Sequence, residues 1–258
     1  MRKGYLEGKK VLIMGVANDK SIAWGCAKKM KEEGASIAMN YLTPKAKSFV
    51  EPLAKQVEAE IFMQCDVTNE EEKQSFIKEL ESKWGRVDVF VHSMAFAKKE
   101  DLNGRVVDTS RDGFMQAMDI SVYSLIDMTQ RLLPMLSKAK GKVMAMTYIG
   151  STRSIPHYNI MGVAKAALEA SVRYLAYDLG KEGIRVNAIS SGPISTRAAS
   201  GILGFDILID ESVKRNPIKK SLTIEDVAGT ALYLASDLSS GVTGEVIFAD
   251  NGFHMTAY

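Results

Sequence analysis

Seven short runs of apolar and β-branched residues recur along the chain, each followed by a longer amphipathic stretch. They are KVLIMG (10–15), SIAMNY (36–41), EIFMQCD (60–66), VDVFVHS (87–93), KVMAMTY (142–148), RVNAISS (185–191) and EVIFAD (245–250). Each run is nearly continuous in apolar residues rather than alternating, the pattern of strands covered on both faces. The stretches between them, such as 70–84, 111–137, 164–179 and 225–235, carry helical periodicity. Strand–helix alternation at this spacing predicts an α/β fold: one Rossmann-like, doubly wound parallel sheet of about seven strands with helices on both faces. No repeat or Pro/Gly-rich linker divides the 258 residues, so they read as a single domain. Segment 192–217 follows a strand without a clean period. It reads as an irregular substrate-binding loop region over the strand ends, where active sites of this architecture lie.

Composition removes several classes of partner. A net charge of +2 leaves no global attraction for nucleic acid or anionic lipid. No run of about 18 apolar residues is present to cross a membrane. The opening MRKGYLEGKK lacks the apolar core of a signal peptide. Cys26 and Cys65 show neither CxxC nor Cys/His spacing, so they read as buried thiols of a cytoplasmic protein and offer no metal site.

Two places carry chemistry. After the first run, GVANDKSIAWG (15–25) leads into a helix whose free N–H groups and positive dipole end suit a pyrophosphate. Ser21 is expected to serve as N-cap and as a phosphate donor, and a plain capped turn is the alternative. Asp66, ending the third run, can meet an adenine amino group or simply cap a turn. MNYLTPK (39–45) supplies neither an acidic residue for a ribose 2′-OH nor an Arg for a 2′-phosphate, so the choice between NADH and NADPH stays open there. The second place is YIGSTRSIPHYNIMGVAKAALEA (148–170), with Tyr148 closing the fifth run and Tyr158 opening a helix. Lys165 lies about two turns and ~10.5 Å further on, on nearly the same face. A phenol there can donate to an oxyanion, and an ammonium can bond ribose hydroxyls and lower the cost of nearby negative charge.

With these residues in place, the chain resembles the bacterial FabI-type enoyl-[acyl-carrier-protein] reductases, a divergent branch of the short-chain dehydrogenase/reductase superfamily. The resemblance spans the chain through GVANDKSIAWG, CDV, VHSMAFA, DISVYS, SGPISTRAASGI and SSGVTGEV, in that order. It implies NADH-dependent reduction of the trans-2 double bond of enoyl thioesters, the last step of the fatty-acid elongation cycle, with an acyl carrier protein bearing the substrate. By resemblance, Gly15, Ser21 and Ile22 line the pyrophosphate, Asp66 and Val67 the adenine, and Ser93 and Ala95 the adenosine side. Lys165 holds the nicotinamide ribose, while Ile194 and Thr196 meet the carboxamide and pyrophosphate. Tyr158 bonds the thioester carbonyl oxygen. Tyr148, Ala97, Met161, Phe205 and the segment from Ala198 to Ile202 line the acyl pocket. A homotetramer packed through 111–137 and 158–179 is implied as well.

Two other readings stand beside this one. A carbonyl reductase acting on 3-ketoacyl substrates normally carries a serine where this chain has Ala145, and Asp119-Ile120-Ser121 and Gly192-Pro193 also depart from that pattern. A non-catalytic dinucleotide-binding regulator would have no use for Tyr158, Lys165 and the 192–196 turn together. The chain also departs from the FabI type. Leu203, Gly204, Asp206 and Asp210 stand where basic residues would meet an acidic carrier, so Lys214, Arg215, Lys219 and Lys220 are the substitutes and a CoA thioester is an alternative substrate. The sequence assigns no role to Thr147 or Arg153, and His157 beside Tyr158 reads as structural.

Overall fold

The computed structural model describes residues 4–197 and 199–256. Seven strands form one parallel sheet: β1 (Lys10–Met14), β2 (Ser36–Tyr41), β3 (Ile61–Gln64), β4 (Val89–His92), β5 (Lys142–Tyr148), β6 (Arg185–Ser191) and β7 (Val246–Ala249). Their order is β3-β2-β1-β4-β5-β6-β7. The order reverses between β1 and β4, which opens a crevice at the carboxyl ends of those strands.

Nine α-helices accompany them among the described residues: α1 (Ile22–Glu32), α2 (Pro44–Gln56), α3 (Glu70–Lys83), α4 (Lys99–Asn103), α5 (Arg111–Met118), α6 (Ser124–Ala139), α7 (Asn159–Leu179), α8 (Phe205–Arg215) and α9 (Ile224–Ala235). Successive strand residues point to opposite faces, and both faces are covered. Leu12, Phe90 and Val143 join Phe76 of α3, Leu125 of α6 and Leu168 of α7 in one core. Val11, Val91 and Met144 join Cys26 of α1, Val50 of α2 and Val227 of α9 in the other. That double burial is why the strand sequences are apolar without alternation.

Two expectations need correction. The stretch 111–137 is not one helix. A π-helical turn, Asp119–Tyr123, separates α5 from α6. Ser121 within it and Ser124 at the start of α6 turn inward: Ser121 Oγ accepts from Phe96 N (3.0 Å), and Ser124 Oγ donates back to the Ile120 carbonyl (2.6 Å). Such back-bonding and wide turns occur where a helix must serve a neighbouring site. Nor is 192–217 wholly irregular, because α8 occupies 205–215. Its periodicity is hidden because Ile207 is exposed while Ser212 is buried, the reverse of an amphipathic pattern.

Candidate active site

Because every strand is parallel, Gly15, Asp66, Val67, Ser93, Tyr148 and the 192–196 turn all follow strand carboxyl ends and gather along one edge. Gly15 has φ +108, and a Cβ there would stand 2.1 Å from the Ser93 carbonyl oxygen, so only glycine fits. Its N–H donates to Asn40 Oδ1 (3.2 Å), and Asn40 Nδ2 donates to the Cys65 carbonyl (2.8 Å), which ties the ends of three neighbouring strands. Ile22 opens α1.

Ser21 sits at the N-cap position of α1 without capping it. Its Oγ instead accepts from the N–H groups of Ala17 and Asn18, both at 3.0 Å, and so fixes the loop that approaches the helix end. Asp66 braces a turn: its Oδ1 accepts from Thr68 N (2.9 Å) and Thr68 Oγ1 (2.8 Å). Ser21 therefore shapes the loop rather than capping α1, Asp66 braces its own turn, and both residues follow strand carboxyl ends.

The catalytic stretch is tightly organised by β5. The rings of Tyr148 and Tyr158 meet edge to face, with centroids 5.0 Å apart. Lys165 lies on the buried face of α7, and its Nζ donates to the Met146 carbonyl at 2.7 Å. Burial pushes its pKa down to about 8, against an opposing pull from Glu169. Burial also raises both phenols above their ordinary value, Tyr158 further through Tyr148 and Glu169. They are therefore neutral donors at physiological pH. Tyr158 is bracketed by two residues in the left-handed region, His157 (φ +61) and Asn159 (φ +30). Asn159 Nδ2 donates to the carbonyls of Leu102 (2.7 Å) and Gly104, which clasps the start of α7 to the α4 segment. The His157 ring makes no hydrogen bond among the described residues, so its contribution lies in that backbone turn.

Several polar atoms here await a partner. Tyr148 Oη is buried with none, and Lys165 spends only one of its three N–H groups among the described residues. A buried ammonium with two unspent donors and a buried unpaired hydroxyl match the hydroxyl-rich ribose and carbonyl oxygens of a dinucleotide and an acyl thioester.

Met161 contacts Ser121 Oγ through its sulfur (3.9 Å), and Ala97 and Ile202 pack on the core that includes Tyr148 and Tyr158. Ile194 packs on the opposite core. Thr196 Oγ1 accepts from Ala199 N (3.1 Å) and so shapes the following turn. Phe205 begins α8, but Leu208 is the residue of that helix that packs on the core. Ala95 lies in the irregular segment after β4, and Ala198 lies outside the described residues.

Sequence reasoning missed four side chains behind Lys165. Thr147 Oγ1 donates to Glu169 Oε1 (2.7 Å), and His92 Nε2 meets Ser124 Oγ (2.7 Å). His92 Nδ1 is buried with no partner among the described residues. Burial, with Lys165 adding to it, pushes the His92 pKa down to about 3. The available signals were a histidine ending a fully apolar run and a glutamate four residues after Lys165 in a buried helical stripe. Arg153 gains a structural account: its Nη1 donates to the Thr256 carbonyl (3.2 Å) and ties the turn after β5 to the chain's end.

A reversed-order parallel sheet, with a buried lysine of α7 and the tyrosine at the N-cap of that helix both gathered at the end of β5, defines a dinucleotide-dependent oxidoreductase of the short-chain dehydrogenase/reductase type. A sequence profile described as Enoyl-(Acyl carrier protein) reductase matches residues 15–254. The enoyl-[acyl-carrier-protein] reductase [NADH] FabI of Aquifex aeolicus is 50% identical over 252 residues, covering 98% of this chain and 93% of that protein. A crystal structure of the NADH enzyme from Aquifex aeolicus superposes with a TM-score of 0.95 at 49% identity, covering 99% of this chain and 100% of that one. The Anaplasma phagocytophilum reductase, crystallised with NAD, gives a TM-score of 0.94 at 45% identity and covers 100% of this chain and 98% of its own. The chain belongs to the enoyl-acyl carrier protein reductase family.

Proposed function

We propose that the protein is an NADH-dependent enoyl-thioester reductase whose chemistry rests on Tyr158 and Lys165, with the acyl chain passing Tyr148. The observation that carries this reading is the pairing of Tyr158 with Tyr148 above a lysine that β5 holds at the Met146 carbonyl. NADH, when bound, supplies the hydride that adds to the β-carbon of a trans-2-enoyl thioester. Negative charge then moves to the thioester carbonyl oxygen as an enolate. Tyr158 donates a hydrogen bond to that oxygen and favours the state in which the charge has developed. Lys165 orients the coenzyme ribose with its two unspent N–H groups and adds positive potential in a water-poor site. The α-carbon takes its proton from solvent. Tyr158 remains a phenol throughout, which suits a group whose ionisation burial opposes.

The coenzyme residues are the backbone at Gly15, Ile22, Val67, Ser93 and Ala95, with Asp66, Ile194 and Thr196. The fit of Gly15 against Ser93 supports a close backbone approach at this point. Ala145, buried on β5 opposite His92, offers no hydroxyl for carbonyl reduction. The physiological substrate is carried by an acyl carrier protein. The basic residues at the end of α8 and just after it are partly engaged locally: Lys214 and Arg215 meet Glu211, and Lys220 meets Asp226. Carrier docking therefore draws on a partly neutralised surface, and a CoA thioester is accepted too. Exposed Phe114, Met115, Tyr123 and Ile126 around α5–α6, with Tyr174 and Tyr177 on α7, supply apolar area for a homotetramer. Buried, free Cys26 and Cys65 are consistent with a cytoplasmic setting.

The test is a steady-state assay of NADH and NADPH against C4 and C12 trans-2-enoyl substrates, each on CoA and on carrier protein, with acetoacetyl thioester alongside. Enoyl reduction with NADH is expected. Reduction of acetoacetyl thioester in its place would transfer the protein to the carbonyl-reducing reading.

A further inference from the structure

Lys165 and Glu169 are four residues apart on the buried face of α7, where side chains so spaced are neighbours with Cβ atoms about 5–6 Å apart. Opposite charges so placed in a core ordinarily close into an ion pair. These two do not. Lys165 Nζ donates to the Met146 carbonyl at 2.7 Å, and Glu169 Oε1 accepts from Thr147 Oγ1 at 2.7 Å. Consecutive residues of one strand thus hold the cation and the anion separately, one by its main chain and the next by its side chain. Tyr148, the third in succession, carries the ring that packs on Tyr158.

We propose that Thr147 and Glu169 are positioning residues for Lys165: Glu169 keeps the lysine an ammonium by its charge, and Thr147 restrains the carboxylate from capturing it. The inference rests on the reading of Lys165 as the ribose-binding cation. A buried lysine tends to shed its proton, and a buried carboxylate nearby opposes that loss. A carboxylate in direct contact would consume the donors that the coenzyme requires. The hydroxyl of Thr147 separates the two effects, leaving the field of the anion without its contact.

The other groups around Lys165 do not supply this charge. His92, reaching in from β4, is neutral because burial holds its pKa near 3. Tyr148 from β5 and Tyr158 beside α7 are raised and uncharged. β6 presents Ser190 and Ser191 at its end. On α6, Ser124 is bonded to His92, and Asp127 is committed to Lys73 and Arg131. Asp101 on α4 accepts from Ser110 N, and Asp112 on α5 and Asp119 in the π-turn are exposed. Among the described residues, Glu169 is the group whose charge raises the Lys165 pKa against burial.

The two roles predict opposite signs. In coenzyme-free protein carrying lysine labelled with 13C at Cε, the Lys165 resonance, assigned by its loss in Lys165→Met, is titrated by NMR. The wild-type midpoint is expected near 8. Glu169→Gln removes the anion and lowers that midpoint by about one pH unit. Thr147→Val, close in shape, frees the carboxylate to pair with Lys165 and raises the midpoint. The alkaline limb of kcat/KM for enoyl reduction moves down in Glu169→Gln, and KM for NADH rises in Thr147→Val. An unmoved midpoint in either variant, or movement of both in one direction, overturns the proposal. If Glu169→Gln does not fold, Thr147→Val decides alone: a rise supports the proposal, and no rise ends it. The titration needs no turnover, so a wild-type protein without enoyl reductase activity would refute the functional reading while leaving this result interpretable.

Discussion

The rings of Tyr148 and Tyr158 meet edge to face at 5.0 Å, and the Cα of Gly150 lies directly against both. A Cβ at position 150 would stand 2.5 Å from Tyr158 Cδ1 and 2.7 Å from Cε1. Tyr158, the proposed donor to the substrate oxygen, is therefore seated on a glycine two residues beyond the strand.

Gly150→Ala is accordingly expected to displace Tyr158 rather than unfold the chain. Overpacking of this kind costs about 1–3 kcal/mol, while a shift of about 1 Å at a reacting group can cost roughly 100-fold in rate. Turnover should fall far more than the urea midpoint. Full turnover with a folded Gly150→Ala protein would contradict the seating of Tyr158.

The two phenols should respond differently to loss of their hydroxyls. Tyr158→Phe removes the donor to the enolate and is expected to lower kcat by about 100-fold or more, with the fold intact. Tyr148 Oη is buried without a partner among the described residues, so Tyr148→Phe relieves a penalty of about 1 kcal/mol and leaves or raises the melting temperature. Kinetics and thermal melts of both variants, run together, check the assignment. A larger kinetic loss in Tyr148→Phe than in Tyr158→Phe would reverse the roles.

Lys165 carries a stability cost at neutral pH. Its folded pKa of about 8 lies below the ordinary 10.5, so between those values the unfolded chain binds more protons than the folded one. Stability from this group therefore rises as pH climbs through that window. In urea melts, Lys165→Met should gain on wild type at pH 7, and the difference should narrow by about 2–3 kcal/mol toward pH 10.5. A difference independent of pH would mean that the lysine is not held in a desolvated site.

Far from the crevice, α3 and α6 are joined by a buried ion pair. Lys73 Nζ lies 2.7 Å from Asp127 Oδ2, and Arg131 Nε lies 2.8 Å from Oδ1. Asp127→Ala leaves the buried Lys73 ammonium only the exposed Glu70 carboxylate, 3.2 Å away, and is expected to cost about 3 kcal/mol. Denaturant unfolding measures it. A change below about 1 kcal/mol would show that the lysine escapes to solvent.

Much of this was legible in the chain because burial and chemistry coincide. SIAMNY, KVMAMTY and RVNAISS became strands at their expected bounds, since every pairing residue is sandwiched between helices. The runs at 60–66, 87–93 and 245–250 shorten at both ends. Glu60 leaves to pair with Lys10, Asp66 turns to brace Thr68, and Asp88 accepts from Lys10 N. The 111–137 stretch concealed its π-turn because Ser121 bonds the distant Phe96 backbone and Ser124 the Ile120 carbonyl, contacts that leave the apolar stripe undisturbed. Tyr148, Tyr158 and Lys165 could be found from position along the chain. Thr147 and Glu169 could not be given roles, because their meaning is the contact between two elements that only folding brings together.

The most direct test follows the hydride. A trans-2-dodecenoyl thioester is reduced with [4,4-2H2]NADH, and the product is read by NMR and mass spectrometry. The account predicts one deuterium at C3 of a saturated dodecanoyl thioester, and a second hydrogen at C2 taken from solvent. Deuterium at C2 would contradict the enolate held by Tyr158, as would transfer to a 3-ketoacyl substrate with the enoyl thioester left untouched.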